Sequence, residues 1–245
     1  MYDPVKDGME KSVQSVRYIE APAPSSLSAL VHCFWELKTK SELTEDFTLH
    51  ALPDACVNLL FDQQDIRVAG VTALQTTHTT LNLGRSFHYV GVQLYPGVWR
   101  DTDGTVDHYI GEPYEGELPL LTTNQQLAPL GFEAKAPVFV ELVETLVETG
   151  LIEPNPMTAA ILTNLDKINT VKDMAAVAAL SPRQLQRKLK AETGFSPHDL
   201  LKVLRLQRSF REDYLQSFAD QSHFTHSFRD LTGYTPGQFR KIFDV

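Results

Sequence analysis

The spacing of apolar residues along the chain changes near its middle. Over residues 31–95, short apolar runs alternate with polar positions, which is typical of half-buried strands. We predict strands at 31–37, 46–51, 56–61, 66–71, 80–83 and 87–95, with a hairpin loop at 62–65. Such strands, with no helical periodicity between them, favour an antiparallel sandwich or barrel. Residues 1–25 are polar and include an Ala-Pro-Ala-Pro run, so we expect an entry segment rather than a packed element.

From residue 137 the apolar spacing becomes helical. A helix over 137–149 would gather its apolar side chains on one broad face, with three glutamates opposite; the apolar set is Val138, Phe139, Leu142, Val143, Leu146 and Val147, and the acidic set is Glu141, Glu144 and Glu148. The apolar face fits either core packing or a dimer seam. Gly150 ends the helix, and the Glu-Pro-Asn-Pro run at 153–156 predicts a short, stiff linker.

Residues 170–190 predict two short helices joined by a tight turn. Small residues on the first helix would let the second cross closely above it, as a helix-turn-helix requires. The turn carries Ala179 where Gly is common. Ser181 suits the N-cap of the second helix and Pro182 its first turn.

The second helix has one apolar stripe and an otherwise basic, amide-rich surface. Leu185 and Leu189 lie one turn apart and face inward, whereas the outer arc holds Arg183, Gln184, Gln186, Arg187, Lys188 and Lys190. Arg can pair with guanine and Gln with adenine in the major groove, while Lys and Arg neutralise phosphates. A solvated basic helix is the alternative. The helix-turn-helix context favours DNA reading.

The segment repeats after 39 residues. Leu185, Leu189 and the Thr-Gly-Phe-Ser-Pro run at 193–197 correspond to Phe224, Phe228 and the Thr-Gly-Tyr-Thr-Pro run at 232–236. In both copies Gly would end one helix and the Ser-Pro or Thr-Pro pair would open the next. The repeat predicts two tandem DNA-reading units.

These motifs resemble the DNA-binding domain of AraC/XylS-type transcriptional regulators. The resemblance covers about 157–243 and includes Ser-Pro-Arg-Gln-Leu-Gln-Arg-Lys-Leu from 181, Arg-Leu-Gln-Arg from 205, Phe-Ala-Asp-Gln-Ser-His-Phe from 218 and Gly-Tyr-Thr-Pro-Gly-Gln-Phe-Arg from 233. It implies seven helices in two helix-turn-helix units, joined by a long linker helix. Residues 52–61 and 90–97 resemble the cupin-like N-terminal domain of one subgroup. We therefore expect an α+β protein, with a cupin-like regulatory or dimerisation domain at 1–152 and an all-α DNA-binding domain at 157–245.

The resemblance also implies which side chains meet DNA. The base-reading candidates are Arg183, Gln186 and Arg187 in the first unit and Gln221, Ser222, Thr225 and His226 in the second. We add Gln184, Lys190 and Arg229 as further DNA-binding residues. The family often has Arg where this chain has His226, so the second unit is expected to be weaker.

The second unit is also shortened. Only residues 209–217 separate the Arg-Leu-Gln-Arg run from the second unit, too few to end the linker helix, turn and build a scaffold helix. We expect the helix opened by Pro197 to run on to about Gln216, with Phe210 and Tyr214 supporting Phe224 and Phe228.

The formal charge of −9 divides unevenly between the two parts. Residues 157–245 hold 13 Lys and Arg against 9 Asp and Glu, giving +4, and residues 1–156 carry −13. A basic segment joined to an acidic one is typical of a protein that binds a DNA groove through one domain and carries a separate regulatory domain. With no apolar run of about 20 residues and no export signal, we expect a cytoplasmic protein without membrane contact.

Candidate catalytic and metal-binding residues are scattered. The histidines of the N-terminal part form no His-x-His or His-x3-His pair, and they are His32, His50, His78, His88 and His108. Glu112, Glu115 and Glu117 lie in a Gly- and Pro-containing stretch that suggests a solvated loop. Cys33 and Cys56 are expected to be buried thiols. We expect no catalytic residue, metal or cofactor.

The sequence thus predicts a sequence-specific regulator that binds double-stranded DNA. The resemblance leaves open a small-molecule effector, a homodimer and contact with RNA polymerase. The alternative is a regulator acting through protein–protein interaction, with DNA binding weakened by the abbreviated second unit. A metal-dependent cupin enzyme is a more distant third.

Overall fold

The structure, a computed structural model, describes residues 7–10, 15–72, 74–100, 111–211 and 221–244. At 7–10, 211, 221–223 and 244 it describes the backbone alone. The N-terminal part contains a five-stranded antiparallel sheet with the strand order β2-β3-β8-β5-β6. Its strands are β2 (Val16–Pro22), β3 (Val31–Thr39), β5 (Val57–Asp62), β6 (Ala69–Val71) and β8 (His88–Leu94).

A second antiparallel sheet joins the two ends of the chain. Its order is β7-β4-β1-β9, with strands β1 (Asp7–Glu10), β4 (Thr48–Ala51), β7 (Thr79–Asn82) and β9 (Phe243–Asp244). The strand β1 pairs with β4 on one side and with β9 on the other. All six predicted strand regions are confirmed, with ends shifted by a few residues.

The expectation for residues 1–25 is wrong at 7–10 and 16–22, because both segments are strands. The strand β2 pairs with β3 along its whole length, from Val16 opposite Thr39 to Pro22 opposite Cys33. It lies at the edge of the sheet, where only Val16 is buried. A strand that buries one side chain has little apolar alternation, so its pattern resembles that of a loop.

Two helices cover the larger sheet: α1 (Leu120–Leu127) and α2 (Ala136–Glu148). The ring of Phe139 on α2 lies 5.0 Å from that of Phe34 and 6.2 Å from that of Phe61. Leu142, Val143 and Leu146 are buried with it in the core. Most of the apolar face that suggested a dimer seam is therefore occupied within the chain, and Val147 alone of its members is exposed. This removes the main observation in favour of a homodimer.

The C-terminal part is helical, which confirms the predicted fold class. Its helices are α3 (Pro156–Thr163), α4 (Val171–Val177), α5 (Pro182–Thr193), α6 (Pro197–Arg211), α7 (Gln221–Thr232) and α8 (Pro236–Ile242). The helix α6 continues beyond the Arg-Leu-Gln-Arg run, as expected, as far as Arg211. The rest of the expected extension, with Tyr214, lies outside the described residues. No helix in the described ranges is both long and apolar enough to cross a bilayer.

Candidate DNA-binding surface

The first helix-turn-helix is fixed by local hydrogen bonds at both helix starts. Thr170 caps α4 in a capping box with Asp173, and Ser181 caps α5 in a capping box with Gln184. Each box satisfies backbone N–H groups that the first turn leaves without partners. Between the helices, Ala179 has φ of 53°, the left-handed conformation for which Gly is preferred. The turn thus has the predicted geometry.

The inward and outward faces of α5 follow the sequence prediction. Leu185 and Leu189 have no exposed surface, whereas Arg183, Gln186 and Arg187 are exposed. Within the described part of the chain, no residue forms a hydrogen bond or ion pair with these three polar side chains. Their donors are therefore available to an external partner.

Two other predicted residues of α5 already have roles within the protein. The Gln184 side-chain oxygen accepts hydrogen bonds from the backbone N and the hydroxyl of Ser181, at 2.9 and 2.8 Å. The Lys190 Nζ donates to the carbonyl oxygen of Gly194 at 2.5 Å. Gln184 retains only its amide N–H groups for a base. Lys190 neutralises the C-terminal end of the helix.

The sequence repeat is also a repeat of hydrogen bonds. In the first unit the Thr193 hydroxyl donates to Leu189 O at 2.7 Å, and Gly194 follows with φ of 72°. In the second unit the Thr232 hydroxyl donates to Phe228 O at 2.8 Å, and Gly233 follows with φ of 79°. These matching C-termini support the interpretation of α5 and α7 as equivalent helices.

The outer face of α7 differs from that of α5. Thr225 is half-buried, while His226 and Arg229 are exposed. The His226 Nδ1 lies 2.9 Å from a carboxylate oxygen of Asp230. This carboxylate places negative charge beside the position where the family often has Arg. For Gln221 and Ser222 the backbone lies in the first turn of α7, and their side chains are outside the description.

The aromatic support expected for α7 comes partly from the linker helix. The Phe210 ring on α6 lies 5.7 Å from Phe228 and 5.5 Å from Phe239. Phe224 lies 5.6 Å from Phe228 in the same cluster. The predicted role of Phe210 toward Phe228 is confirmed.

The helical part is docked on the N-terminal part through buried polar contacts near the first unit. Asn155 caps α3 and also donates from its amide to Gly97 O at 2.9 Å and to a carboxylate oxygen of Glu192 at 2.8 Å. The Thr158 hydroxyl donates to Pro96 O at 2.6 Å. The segment predicted as a linker is therefore a packed joint that reaches the C-terminal end of α5.

Corresponding contacts hold the second unit. The buried ring of His50 donates from Nε2 to Thr232 O at 2.8 Å, and the His78 backbone N–H donates to Leu231 O at 2.8 Å. Burial lowers the pKa of His50.

Sequence reasoning missed His50, His78 and Asn155. The Asn-Pro pair at 155–156 is an N-cap signal that could have indicated Asn155, whereas nothing in the local pattern marks the histidines.

Two of the candidate histidines contact side chains on the neighbouring strand of the larger sheet. The His88 Nε2 lies 2.9 Å from Glu36, and His32 lies 2.8 Å from the Gln93 side-chain oxygen. Although burial raises the pKa of Glu36, hydrogen bonds from Lys38 and His88 outweigh it, and the net pKa is lowered. Across the described ranges, no three His, Cys, Asp or Glu side chains are grouped to hold a metal ion. His108 lies outside those ranges.

Glu112, Glu115 and Glu117 are exposed, as expected for a solvated loop. Cys33 and Cys56 are buried and do not form a disulfide, which confirms the expectation of buried thiols.

Parts of the chain are similar to known proteins, two of which are named as transcriptional regulators. Residues 19–102 match the family described as a domain of unknown function, DUF6597. The HTH-type transcriptional activator RhaS of Escherichia fergusonii is 28% identical in an alignment of 166 residues that covers 60% of this chain and 58% of that protein. The HTH-type transcriptional regulator MtrA of Neisseria gonorrhoeae is 34% identical in an alignment of 89 residues that covers 32% of this chain and 28% of that protein.

The predicted resemblance to AraC/XylS-type regulators is confirmed. This AraC/XylS-like chain spans less than two thirds of the length of either curated relative. Among solved structures, ToxT from Vibrio cholerae O395 aligns with a TM-score of 0.43 and 11% identity, covering 95% of this chain and all of that one.

Proposed function

We propose that this AraC/XylS-like chain is a sequence-specific DNA-binding regulator of transcription. The observation that carries the proposal is the outer face of α5, where Arg183, Gln186 and Arg187 are exposed on a helix anchored by two buried leucines. A capped second helix of this kind is the element that enters the major groove in helix-turn-helix proteins. Residues 157–245 would supply DNA binding, and residues 1–152 would regulate it.

In this proposal the two units contribute unequally. The Arg and Gln side chains of α5 would read base edges, while Lys188 and Lys190 would sit near phosphates. On α7 the reading positions would be Gln221, Ser222, Thr225, His226 and Arg229. Because Asp230 is close to His226, we expect the first unit to supply most of the specific affinity. A small-molecule effector and RNA polymerase remain partners that the resemblance implies.

The first experiment selects an operator from randomised duplex DNA with the full chain and measures affinity at fixed salt. Arg183→Ala, Gln186→Ala and Arg187→Ala should each weaken specific binding by about 1–3 kcal/mol, because each removes a base-edge contact. The matched control is Arg17→Ala, which removes an exposed charge on β2. Full affinity in all three α5 variants would refute α5 as the reading helix.

The proximity of His226 and Asp230 favours a second candidate function. If α7 binds DNA poorly, the chain could act mainly through a protein partner, with α5 giving weak DNA affinity. His226→Arg separates the candidates. If α7 contacts the operator, the substitution should strengthen DNA binding; if α7 does not contact DNA, the affinity should stay the same. If no DNA is enriched in the selection and the chain still regulates a reporter, the protein-interaction candidate is favoured.

A further inference from the structure

The last turn of each proposed reading helix is attached to the rest of the chain at equivalent positions. The 39-residue repeat matches Glu192 and Thr193 of α5 to Leu231 and Thr232 of α7. Polar groups from outside the helical units bond to Glu192 in the first case and to the carbonyl oxygens of Leu231 and Thr232 in the second. The repeat of sequence is therefore also a repeat of attachment points.

Glu192 is an unfavourable residue for the last turn of α5, because the carbonyl groups at the C-terminal end of a helix already carry partial negative charge. Its Oε2 accepts from the Asn155 amide at 2.8 Å and lies 3.7 Å from Arg100 Nη1. Its Oε1 lies 3.6 Å from Lys188 Nζ. Two of these three partners, Asn155 and Arg100, precede the helical part. A residue that departs from a local preference is expected at a functional position.

Gly97 brings the backbone of the N-terminal part against the same turn. It has φ of 75°, and a Cβ at this position would lie 2.8 Å from Asn155 Nδ2 and 3.1 Å from Thr193 Cγ2. Glycine suits both the left-handed conformation and this close approach. The carbonyl oxygen of Gly97 accepts from the Asn155 amide at 2.9 Å. One amide group therefore joins Gly97 to Glu192, and we call this contact the first anchor.

The equivalent turn of α7 has a second anchor. His50 on β4 is 3% exposed and donates from Nε2 to Thr232 O at 2.8 Å. His78, just before β7, donates its backbone N–H to Leu231 O at 2.8 Å. The His50 ring also stacks on Phe243 at a centroid distance of 4.9 Å. The second anchor is thus a pair of hydrogen bonds supported by aromatic packing.

The two anchors belong to different sheets that are packed on each other. Gly97 and Arg100 follow β8 of the five-stranded sheet, whereas His50 lies on β4 of the four-stranded sheet. Side chains of both sheets share a buried cluster, in which the Phe47 ring lies 5.3 Å from that of Phe87. Close-packed interiors transmit displacements rather than absorb them. The separation of the two anchors is therefore set by the N-terminal part.

The linker helix α6 also joins the two units. Its Phe210 ring packs on Phe228 of α7 at 5.7 Å. Apolar packing of this kind is non-directional, whereas a hydrogen bond to a backbone carbonyl oxygen weakens steeply as its angle changes. The anchors therefore fix the orientation of the two helices more closely than this apolar contact does.

We propose that Glu192 and His50 are positioning residues that hold α5 and α7 at one separation, so that the chain distinguishes operators by the spacing of their half-sites. The anchors lie at the C-terminal ends of the two helices, which leaves the N-terminal ends to the bases, as in other helix-turn-helix proteins. The N-terminal part then acts on specificity without touching DNA. This consequence rests on the proposed function, whereas the anchoring itself does not.

The first test measures the distance between the two helices in the full chain without DNA. Gln186→Cys on α5 and Arg229→Cys on α7, both exposed positions, carry nitroxide labels for pulsed electron paramagnetic resonance. The two native thiols are buried and should stay unlabelled. We expect one narrow distance distribution, and a broader one when Glu192→Gln and His50→Phe are added together. An unchanged width after both substitutions would overturn the anchoring.

The two substitutions remove polar contacts and keep the shape of each side chain. Glu192→Gln removes the charge that faces Arg100 and Lys188, and His50→Phe keeps an aromatic ring but loses the donor to Thr232 O. Arg100→Gln breaks the same ion pair from the N-terminal side and should broaden the distribution as Glu192→Gln does. If His50→Phe does not fold, as judged by far-UV circular dichroism, these two variants of the first anchor replace it.

The matched controls make similar changes away from the anchors. Glu144→Gln neutralises an exposed glutamate of α2, and Tyr18→Phe keeps a ring but removes a hydroxyl that donates to Glu20. Both should leave the distance distribution as in wild type. Broadening by the controls as large as that by the anchor variants would show a general loss of rigidity and would overturn the proposal.

The second test compares a selected operator with one that has an extra base pair between its half-sites. The insertion moves one half-site by about 3.4 Å and rotates it by about 35°. It should weaken binding of the wild type by about tenfold, a loss similar to that from one mismatched base pair, and should weaken binding of the Glu192→Gln, His50→Phe protein much less. An equal effect of the insertion on both proteins would overturn the role in spacing. An insertion without effect on the wild type would overturn it as well.

The DNA-free and DNA-bound measurements fail independently. If the distance distribution broadens as expected and no operator can be selected, the proposed function fails and the anchoring stands. If an operator is selected and the distribution of the doubly substituted protein stays narrow, the proposed function stands and the anchoring fails.

Discussion

At the residue scale, the clearest departure from local preference is Ala179 in the turn of the first unit. Its φ of 53° places a Cβ in a conformation that L-residues adopt at a cost of about 1–2 kcal/mol. The residue is exposed, so the cost comes from the backbone rather than from packing. The helix-turn-helix geometry overrides the preference of this position.

Ala179→Gly should therefore stabilise the protein by up to about 1 kcal/mol, because the relief of strain exceeds the extra entropy of an unfolded glycine. The matched control is Ala176→Gly, an exposed position inside α4, which should destabilise by about 1 kcal/mol. Urea denaturation measures both free energies of unfolding. Equal destabilisation by the two glycines would show that the turn is not strained.

Also at this scale, the predictable part of the candidate site lies in residues that obey local rules. Ser181, Leu185 and Leu189 are set by capping and by helical periodicity, and the structure places them as expected. Gln184 and Lys190 show the limit of such reasoning. Both lie on the outer arc, yet hydrogen bonds at the two ends of the same helix engage them. A face can be predicted from spacing, but the partner of each side chain depends on three-dimensional neighbours.

At the element scale, α1 and α2 are docked on the sheet by a buried polar network. Lys135 precedes α2 and is 1% exposed. Its Nζ donates to Gln63 Oε1 at 2.7 Å and to the carbonyl oxygen of Leu127 at the end of α1. Gln63 in turn donates to Asn124 of α1 at 2.7 Å. Burial lowers the pKa of Lys135 to about 8.

This shift predicts a pH dependence of stability. The ordinary pKa of 10.5 applies to the unfolded chain, so between about pH 8 and 10.5 the unfolded state binds more protons than the folded state. The free energy of unfolding should therefore rise with pH in this window. Below the window Lys135 is charged in both states, and the folded state carries the full cost of burying that charge. Burial also raises the pKa of Tyr89 to about 12, which acts in the opposite direction above its ordinary pKa of 10.0.

The measurement is urea denaturation from about pH 7.5 to about pH 9.5, below the range in which Tyr89 contributes. Lys135→Met should reduce the positive slope, since Met keeps the length of the side chain without its charge. Lys172→Met removes an exposed lysine and should leave the slope as in wild type. An unchanged slope in Lys135→Met would exclude Lys135 as its source.

Elements were predictable where burial leaves a clear apolar pattern. The strands β3, β5 and β8 are buried along most of their length and form short apolar runs, whereas the helix α2 has helical periodicity because one side packs against the core. The strand β2 was missed because it is an edge strand with one buried side chain, and β9 was missed because two residues carry no period. Pairing of β9 with β1 joins residues from the two ends of the chain, which no local pattern can encode.

At the scale of the whole molecule, the two parts predicted as domains share one buried core. A continuous set of buried side chains extends from the sheet through α2 to the helices of both reading units. Buried hydrogen bonds cross the same boundary from Asn155, Gln207 and His50, to Gly97, Pro53 and Thr232. The domain division therefore describes the order of elements along the chain. We expect the two parts not to unfold separately.

We accordingly predict that the full chain unfolds in one transition in urea. Fluorescence reports on the N-terminal part, because Trp35 and Trp99 both lie there. Far-UV circular dichroism reports mainly on the C-terminal part, which contains six of the eight described α-helices. Because the core is shared, unfolding of either part exposes buried side chains of the other. The fluorescence and circular dichroism curves should therefore coincide. Asn155→Ser, which keeps a capping hydroxyl and loses the amide donors, should lower both midpoints together.

The matched control is Asn164→Ser, because the Asn164 amide bonds only within its own part, to Ala160 O and Lys167. It should shift the midpoints less than Asn155→Ser, since a local bond at the end of α3 is replaced more readily by water than a buried bond between the two parts. Loss of the helical signal before the fluorescence change in wild type would show that residues 157–245 unfold independently. In that case the contacts of Asn155 and His50 would add too little free energy to couple the two parts, and the predicted boundary would also be an energetic one.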